Sequence, residues 1–272
     1  MHSFHLTPDT ISKPYALMDL DDTLFQTLRK LSPDQRCDDA LTVATLDKRG
    51  RPLSLMTAKQ TRFFNWLYHS CELIPVTARD TAEITRVLLP FNSWRILTHG
   101  AVMVAPDGTF EPTWQAYLAS VLQPLQRPLT AIGEYLQTAD FSQLRVTPHY
   151  ERFGDDDLCV YIAVKHVTKD AAALQALATR LPTLLGIADF AENWYIHHNA
   201  NNLAILPKAV HKRHAVAFLQ TTHLDSTRPC FGFGDSLADL DFLRLLDWYG
   251  TPARGQLHGQ IGAWLAHTFT RT

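Results

Sequence analysis

Residues 15–23 read YALMDLDDT, a short apolar run followed at once by an acidic cluster. Such a run is typical of a buried strand, so the sequence predicts a strand with Asp19 and Asp21 at its C-terminal end. Two later stretches repeat the arrangement, ELIPVT ending at Thr77 and PCFGFGDS ending at Asp235 and its neighbour. Because ligands bind at the carboxyl ends of strands in open parallel sheets, we expect these side chains to converge.

A fourth carboxylate, Asp239, lies shortly after the last of these stretches. Carboxylates crowded together repel one another unless a cation lies among them, and a hard divalent ion with oxygen ligands, Mg²⁺, resolves that conflict. Lys212 and Thr77 offer a positive charge and a hydroxyl donor, which a bound phosphate needs. The residues therefore favour phosphate chemistry assisted by a metal ion.

The rest of the chain predicts an α/β fold with two domains. Strands and helices alternate on both sides of residues 111–206, which indicates a Rossmann-like parallel-sheet core encoded by residues 1–110 and 207–272. The inserted segment has a helix-strand-strand pattern twice, so we expect a small α+β domain. Local expectations are a hairpin over 41–56, a helix over 81–89, a helix over 114–137 and a strand over 190–197.

The composition of the chain disfavours several classes of function. The 272 residues are 46% hydrophobic with a formal net charge of −2, which indicates a globular chain and disfavours nucleic acid as a partner. No apolar stretch reaches the length of about 20 residues that a membrane helix needs. The first residues lack the basic start and apolar segment of a secretory signal, so we expect a cytoplasmic protein. The four cysteines, Cys37, Cys71, Cys159 and Cys230, are far apart and are expected to be thiols.

Four motifs in order carry a resemblance to a known family. MDLDDT, VTAR, a lysine at a helix start and GDSLAD resemble the signature of the haloacid dehalogenase superfamily. The inserted segment is similar in position to the type-two cap of that superfamily. Its doubled pattern, with the preceding hairpin HGAVMVAPDG, resembles the sucrose-phosphate, mannosyl-phosphoglycerate and trehalose-phosphate phosphatases.

The resemblance implies the roles of the two catalytic residues. Asp19 would be the nucleophile that becomes an aspartyl-phosphate, and Asp21 would be the general acid and then the general base. An acid at position 21 favours phosphate chemistry over carbon-halogen chemistry.

The resemblance also implies a phosphate and metal site. Thr77 would bind the phosphoryl oxygens and Lys212 would neutralise their charge. Mg²⁺ would be held by Asp19, the backbone carbonyl of Asp21 and Asp235, with Asp239 as a supporting acid.

Two departures from the family pattern stand out. Lys208 competes with Lys212 for the role of the phosphate-binding lysine, although Lys212 is preferred because it falls at a helix start. Ala238 occupies a position where that branch commonly has Asn.

Other polar residues have two interpretations. Residues 197–202 read HHNANN, and we weigh two interpretations of this stretch. A polar hairpin turn is favoured about two to one over a ligand site. Residues 149–152 are interpreted as a solvated strand end, with substrate contact as the alternative. Arg79 is equally suited to contact phosphate or the cap.

The leading prediction is a Mg²⁺-dependent phosphatase of a small phosphorylated metabolite, a sugar phosphate, that acts through an aspartyl-phosphate. The alternatives are a phosphotransferase or mutase of the phosphomannomutase type and a non-catalytic protein that binds a phosphorylated ligand. The sequence indicates a small phosphorylated substrate as the partner and leaves the oligomeric state open.

Overall fold

The computed structural model describes residues 12–36, 40–187, 190–199 and 201–269. The chain forms two compact units. The first comprises residues 1–77, 82–95 and 216–272, and the second comprises residues 78–81 and 96–215. No helix within the described ranges has both the length and the apolar character needed to cross a membrane.

The strands in chain order are β1 (Tyr15–Met18), β2 (Gln26–Thr27), β3 (Thr42–Leu46), β4 (Pro52–Met56), β5 (Glu72–Pro75), β6 (Arg95–Leu97), β7 (Val102–Val104), β8 (Leu144–Phe153), β9 (Asp156–His166), β10 (Trp194–Asn199), β11 (Asn202–Pro207), β12 (Cys230–Phe233) and β13 (Trp248–Gly250). The α-helices are α1 (Pro33–Arg36), α2 (Ala58–Ser70), α3 (Thr81–Ile84), α4 (Pro112–Leu122), α5 (Gln126–Tyr135), α6 (Ala171–Leu184), α7 (Phe190–Asn193), α8 (Lys212–Thr222), α9 (Leu237–Leu243) and α10 (Gln256–Phe269).

The first unit is built around a parallel sheet with the strand order β13-β12-β1-β5. All four residues of the central strand β1 are buried, as expected for a strand covered on both faces. Helix α2 begins with a capping box in which Thr57 and Gln60 satisfy each other's backbone donors. Its buried residues Phe64 and Leu67 pack into the same core as Met18 and Leu73.

The predicted hairpin over 41–56 is present as β3 and β4, with Gly50 at a positive φ of 74° in the turn. The predicted helix over 81–89 is wrong, because only α3 is helical there. The backbone that follows α3 bonds to β3 instead: Leu46 N–H donates to Arg86 O at 2.9 Å, and Leu88 N–H donates to Ala44 O at 2.8 Å.

The second unit contains an antiparallel sheet with the strand order β10-β11-β9-β8. One face of this sheet packs on helices α5 and α6. The buried residues of this core are Leu129, Ile132, Leu136, Cys159, Ile162, Val164, Leu174, Leu181, Phe190, Trp194, Leu203 and Ile205. Side chains alternate along a strand, so Tyr161 next to Ile162, and His197 next to Ile196, belong to the opposite face.

Two local predictions in this unit are wrong. The helix predicted over 114–137 is divided into α4 and α5 by a 3₁₀ turn at Gln123–Leu125, where Pro124 lacks the N–H that an α-helix needs. Residues 190–193 are the helical turn α7 and not the start of a strand. Pairing with β11 begins only at Trp194 opposite Pro207, where β11 ends, so residues 190–193 lie beyond the end of β11.

The predicted fold class is confirmed: a parallel-sheet core with an inserted α+β segment whose helix-strand-strand pattern occurs twice. The cysteines Cys71, Cys159 and Cys230 are buried free thiols, as predicted, and Cys37 lies outside the described residues. Burial raises the pKa of both Cys159 and Cys230 to about 11, so these thiols are protonated at neutral pH.

Candidate functional site

The carboxyl edge of the parallel sheet brings together the ends of β1, β5 and β12. Met18 at the end of β1 lies opposite Pro75 of β5 on one side and Phe233 of β12 on the other. Asp19 directly follows β1, and its backbone N–H donates to Phe233 O at 3.0 Å. Thr77 and Asp235 each lie two residues beyond their own strand. Parallel pairing therefore places residues distant in sequence at one edge.

Three carboxylates form a buried cluster in this unit, which we call the carboxylate cluster: Asp19, Asp235 and Asp239. Each offers an oxygen, and these oxygens all lie within 4.8 Å of one another. Burying several negative charges together is unfavourable without a compensating cation. Mg²⁺ takes oxygen ligands at about 2.1 Å, so two ligands on opposite sides of it lie about 4.2 Å apart. The donor type and spacing of the cluster fit Mg²⁺.

Asp239 also forms part of the N-terminal cap of helix α9. Its Oδ2 accepts hydrogen bonds from the backbone N–H of Ser236 at 3.0 Å and from Ser236 Oγ at 2.7 Å. A Cβ at Gly234 would lie only 2.4 Å from Asp239 Cβ, so only glycine permits this approach. The carboxylate of Asp239 is thus fixed by the cap of the helix that bears it.

Asp19 is oriented by a residue that the sequence analysis did not single out. Thr23 Oγ1 donates a hydrogen bond to Asp19 Oδ2 at 3.0 Å, and both side chains are buried. The signal was available in the sequence, because a threonine ends the DLDDT cluster one turn after the first aspartate.

The other two aspartates of DLDDT have different surroundings. Asp21 is half-buried, and among the residues that the structure describes its carboxylate is not part of the carboxylate cluster. Asp22 has a left-handed backbone with φ 64° and forms an ion pair with Lys30. The acidic run thus contributes Asp19 to the cluster and Asp22 to a surface pair.

The two phosphate-binding candidates fall in different units. Thr77 is almost completely buried in the first unit, and Lys212 is buried in the second, where it begins helix α8. The competing Lys208 is exposed. A buried ammonium needs compensating groups whereas an exposed lysine does not, so burial favours Lys212 as the functional lysine.

Glu151 is buried, so the interpretation of residues 149–152 as a solvated strand end is wrong at this position. Its carboxylate accepts hydrogen bonds from Thr81 N–H at 3.0 Å, from Thr81 Oγ1 at 2.7 Å and from Thr98 Oγ1. Glu151 of strand β8 therefore binds both Thr81, the first residue of α3, and Thr98.

Aromatic and imidazole rings gather on the sheet face opposite α5 and α6. His149 stacks on Tyr161 with 4.3 Å between ring centroids, and His149 Nδ1 lies 3.4 Å from Asp80 Oδ2. His99 contacts Tyr161 and His197 edge to face, at centroid distances of 5.1 Å and 5.7 Å. We call the four residues His99, His149, Tyr161 and His197 the histidine cluster.

The HHNANN stretch continues β10 and leads into β11. Asn199 pairs with Asn202, and residue 200 between them lies outside the described ranges. His197 is a strand residue of the histidine cluster, a placement that the pattern of a polar turn did not indicate.

Burial holds the pKa of His99 well below its ordinary value. Positive charge at His197, Lys212, His149 and His211 acts in the same direction. His99 is therefore neutral at pH 7, with one ring nitrogen donating and the other accepting hydrogen bonds.

Neither a protein-family model nor a curated protein sequence matches the chain. Its structure is similar to a sucrose-phosphatase from Synechocystis sp. PCC6803, solved with sucrose and phosphate, at 15% identity and a TM-score of 0.50 over 86% of this chain and 80% of that one. The C-terminal domain of a trehalose-6-phosphate phosphatase from C. albicans matches at 15% identity and a TM-score of 0.51, over 85% and 73% of the two chains. A Streptococcus mutans protein matches at 10% identity and a TM-score of 0.52, over 92% and 91%. These likenesses show a shared fold and agree with the resemblance that the four motifs predict.

Proposed function

We propose that this chain, which has the fold of the haloacid dehalogenase superfamily, is a Mg²⁺-dependent phosphatase of a small sugar phosphate. The observation that carries the proposal is the buried cluster of Asp19, Asp235 and Asp239 at the carboxyl edge of a parallel sheet. The substrate class comes from the names of two structural neighbours, a sucrose-phosphatase and a trehalose-6-phosphate phosphatase.

The first step transfers the phosphoryl group to the protein. A carboxylate oxygen of Asp19 attacks phosphorus, and the bond between phosphorus and the leaving oxygen of the sugar breaks. Asp21, in its protonated form, donates its proton to that oxygen, so the sugar leaves as an alcohol. The hydrogen bond from Thr23 supports this step because it limits the orientations of the Asp19 carboxylate.

The second step releases phosphate. Asp21, now a carboxylate, takes a proton from a water molecule whose oxygen attacks phosphorus. The bond between phosphorus and the Asp19 oxygen breaks, which yields inorganic phosphate and restores the Asp19 carboxylate. The hydroxyl of Thr77 donates to a phosphoryl oxygen in both steps.

Mg²⁺, when bound, supplies positive charge that balances the carboxylates and the phosphoryl oxygens. The carboxylates of Asp19 and Asp235 and the backbone carbonyl of Asp21 would hold it, and Asp239 supports the site from the cap of α9. The role of Lys212 in neutralising phosphate stays a prediction of the resemblance.

Phosphate release from a panel of sugar phosphates, with Mg²⁺ or with EDTA, tests the proposal. The wild-type protein is expected to release phosphate from at least one sugar phosphate only with Mg²⁺. Asp19→Asn is expected to lower the rate by at least about 10⁴-fold. Asp22→Asn is the matched control, because Asp22 belongs to the same acidic run and pairs with Lys30, and Asn tolerates a left-handed backbone.

Three outcomes contradict parts of the proposal. Full activity of Asp19→Asn would exclude Asp19 as the nucleophile. Transfer of labelled phosphate to an added sugar without matching phosphate release would indicate a phosphotransferase. A protein that binds sugar phosphates and turns over none of them would be a non-catalytic binder.

A further inference from the structure

Strand β13 also ends at the carboxyl edge of the parallel sheet, next to β12. Its last residue, Gly250, lies opposite Phe233, and Gly234 N–H donates to Gly250 O at 3.3 Å. Thr251 directly follows the strand. The edge of the sheet that carries Asp235 therefore also carries a threonine, which the sequence analysis did not single out.

Two glycines on these strands indicate the face of the sheet to which Thr251 belongs. A Cβ at Gly250 would lie 2.7 Å from the ring of Phe233, so these two residues face the same side. A Cβ at Gly234 would instead meet the side chain of Asp239 on α9. Side chains alternate along a strand, so the position after Gly250 belongs to the side of Gly234. We therefore expect the Thr251 side chain on the same side as Asp239.

The chain after Thr251 packs closely against Asp235. Leu257 N–H donates to Asp235 O at 2.6 Å, and a Cβ at Gly255 would lie 3.1 Å from Asp235 Cα. Gly255 N–H in turn donates to Pro252 O at 2.8 Å. This short segment, which begins directly after Thr251, therefore contacts the backbone of a member of the carboxylate cluster.

The hydroxyl of Thr251 is buried and has no hydrogen-bond partner among the described residues. A buried hydroxyl without a partner is unfavourable, so such an atom in a folded protein indicates an ion or a water molecule beside it. The other unpartnered buried hydroxyls that the structure describes are those of Thr27 and Ser54, on strands β2 and β4 of a different sheet. Thr251 thus combines an unpartnered hydroxyl with a position at the edge that carries the carboxylate cluster.

A hydrated Mg²⁺ offers a partner to such a hydroxyl. The ion usually keeps several water molecules when a protein binds it through a few carboxylates, and each water can donate a hydrogen bond. Mg²⁺ lies about 2.1 Å from its water, and the water lies about 2.8 Å from a hydroxyl oxygen, so the two ends are up to roughly 4.9 Å apart. Neighbouring strands are about 4.8 Å apart. A hydroxyl at the end of the next strand can therefore reach the ion through one water molecule.

We propose that the hydroxyl of Thr251 accepts a hydrogen bond from a water molecule bound to Mg²⁺ at the carboxylate cluster. Thr251 is then a positioning residue, which orients a water ligand of the ion and touches neither the ion nor the phosphoryl group. The inference rests on the proposed function for the identity of the cation, and it adds a residue that lies outside the four motifs. All residues that carry it belong to the first unit.

Titration calorimetry of the whole chain with Mg²⁺, in the absence of substrate, tests the proposal. Thr251→Val keeps the shape of the side chain and removes the hydroxyl, so the dissociation constant of Mg²⁺ is expected to rise by about 10-fold. Thr251→Ser keeps the hydroxyl, and its dissociation constant is expected to stay within about threefold of the wild type. An unchanged dissociation constant in Thr251→Val, or an equal rise in both variants, would overturn the proposal.

Denaturant unfolding in EDTA separates this role from a purely structural one. If the partner of the hydroxyl is bound to Mg²⁺, the hydroxyl has no partner in EDTA, so Thr251→Val is expected to be at least as stable there as the wild type. A hydroxyl that only bridges protein groups through a buried water would be needed with or without the ion. A loss of stability of Thr251→Val in EDTA would therefore overturn the inference.

Thr27→Val is the matched control. It makes the same substitution at another unpartnered buried hydroxyl, on strand β2. The dissociation constant of Mg²⁺ is expected to stay within about twofold of the wild type. A rise equal to that of Thr251→Val would contradict a specific role of Thr251, because the loss of any buried hydroxyl would then weaken binding.

The inference and the proposed function can fail separately. Mg²⁺-dependent release of phosphate by the wild type, together with an unchanged Mg²⁺ affinity of Thr251→Val, would refute the inference and leave the phosphatase standing. Weaker Mg²⁺ binding by Thr251→Val, without turnover of any sugar phosphate by the wild type, would support the role of Thr251 and refute the phosphatase. A wild-type chain that binds no Mg²⁺ would refute both.

Discussion

The carboxylate cluster and the histidine cluster are built on different principles. The first lies at the edge of a parallel sheet, where Asp19 and Asp235 follow the ends of neighbouring strands. The second lies on the face of an antiparallel sheet and includes His99 from a strained turn. Strand ends converge whenever the sheet is parallel, whereas the residues on a face depend on the register of every strand.

We expect the reaction to take place at the edge of the parallel sheet. Changes at the edge should therefore lower kcat for every substrate. Changes on the face of the antiparallel sheet should act on stability.

After the loss already expected for Asp19→Asn, the largest effect is expected at Asp21. Asp21→Asn removes the group that donates and accepts the proton, so kcat should fall by about 10²-fold or more with sugar phosphates. With p-nitrophenyl phosphate, whose leaving group needs no proton, the loss in the first step should be smaller. Stopped-flow and steady-state kinetics measure both steps, and a kcat close to that of the wild type for sugar phosphates would contradict the role of Asp21.

A pair of lysine variants tests whether the second unit also contributes to phosphate binding. Lys212→Met removes a buried positive charge and should lower kcat/KM by about 10²-fold with all phosphate esters. Lys208→Met, at an exposed lysine in the same stretch, should change kcat/KM by less than about twofold. A larger loss in Lys208→Met than in Lys212→Met would show that Lys208 is the phosphate-binding lysine.

Mg²⁺ binding at the carboxylate cluster can be tested without measuring turnover. Asp235→Asn removes one negative ligand, and the Mg²⁺ concentration at half-saturation should rise by at least about 10-fold. The measurement is the increase in unfolding temperature with Mg²⁺, since an ion that binds only the folded chain stabilises it. Asp22→Asn is the control for lost charge, and an unchanged Mg²⁺ response in Asp235→Asn would exclude Asp235 as a ligand.

The smallest effect concerns the pH dependence of stability through His99. In the unfolded chain His99 takes up a proton near pH 6.5. In the folded chain its pKa is lowered, so His99 takes up the proton only at a lower pH. The unfolded state thus binds more protons, and the free energy of unfolding should fall as the pH drops below about 6.5. Denaturant unfolding between pH 5 and 8 should give a shallower dependence for His99→Asn than for the wild type or for His69→Asn, the control at an exposed histidine of α2. Equal slopes in all three proteins would contradict the buried neutral state of His99.

The clusters also differ in how far the sequence could predict them. The carboxylate cluster follows from the order of short apolar runs that end in acids, so Asp19, Asp235 and Asp239 could be identified without knowledge of the pairing. Thr23 could have been inferred as well, because it stands one turn after Asp19.

The histidine cluster could not be predicted in this way. The register of β8 against β9 shifts between His149 and Tyr150, because Val160 of β9 has no opposite residue on β8. The buried Glu151 accepts hydrogen bonds from the hydroxyls of Thr81 and Thr98, which come from distant parts of the sequence. Thr98 has a left-handed backbone, which β-branched residues disfavour. Local propensity therefore could not predict the conformation of this turn.

The cap of helix α9 connects local order to cation binding. One oxygen of Asp239 accepts two hydrogen bonds from Ser236, while the same carboxylate belongs to the carboxylate cluster. Fraying of the first turn of α9 would move a member of the cluster, so a cation that draws the three carboxylates together also opposes fraying. The amides at the start of α9 should therefore exchange with solvent deuterium more slowly when Mg²⁺ is added. The exchange rate of these amides would then show whether the neighbouring carboxylates hold an ion.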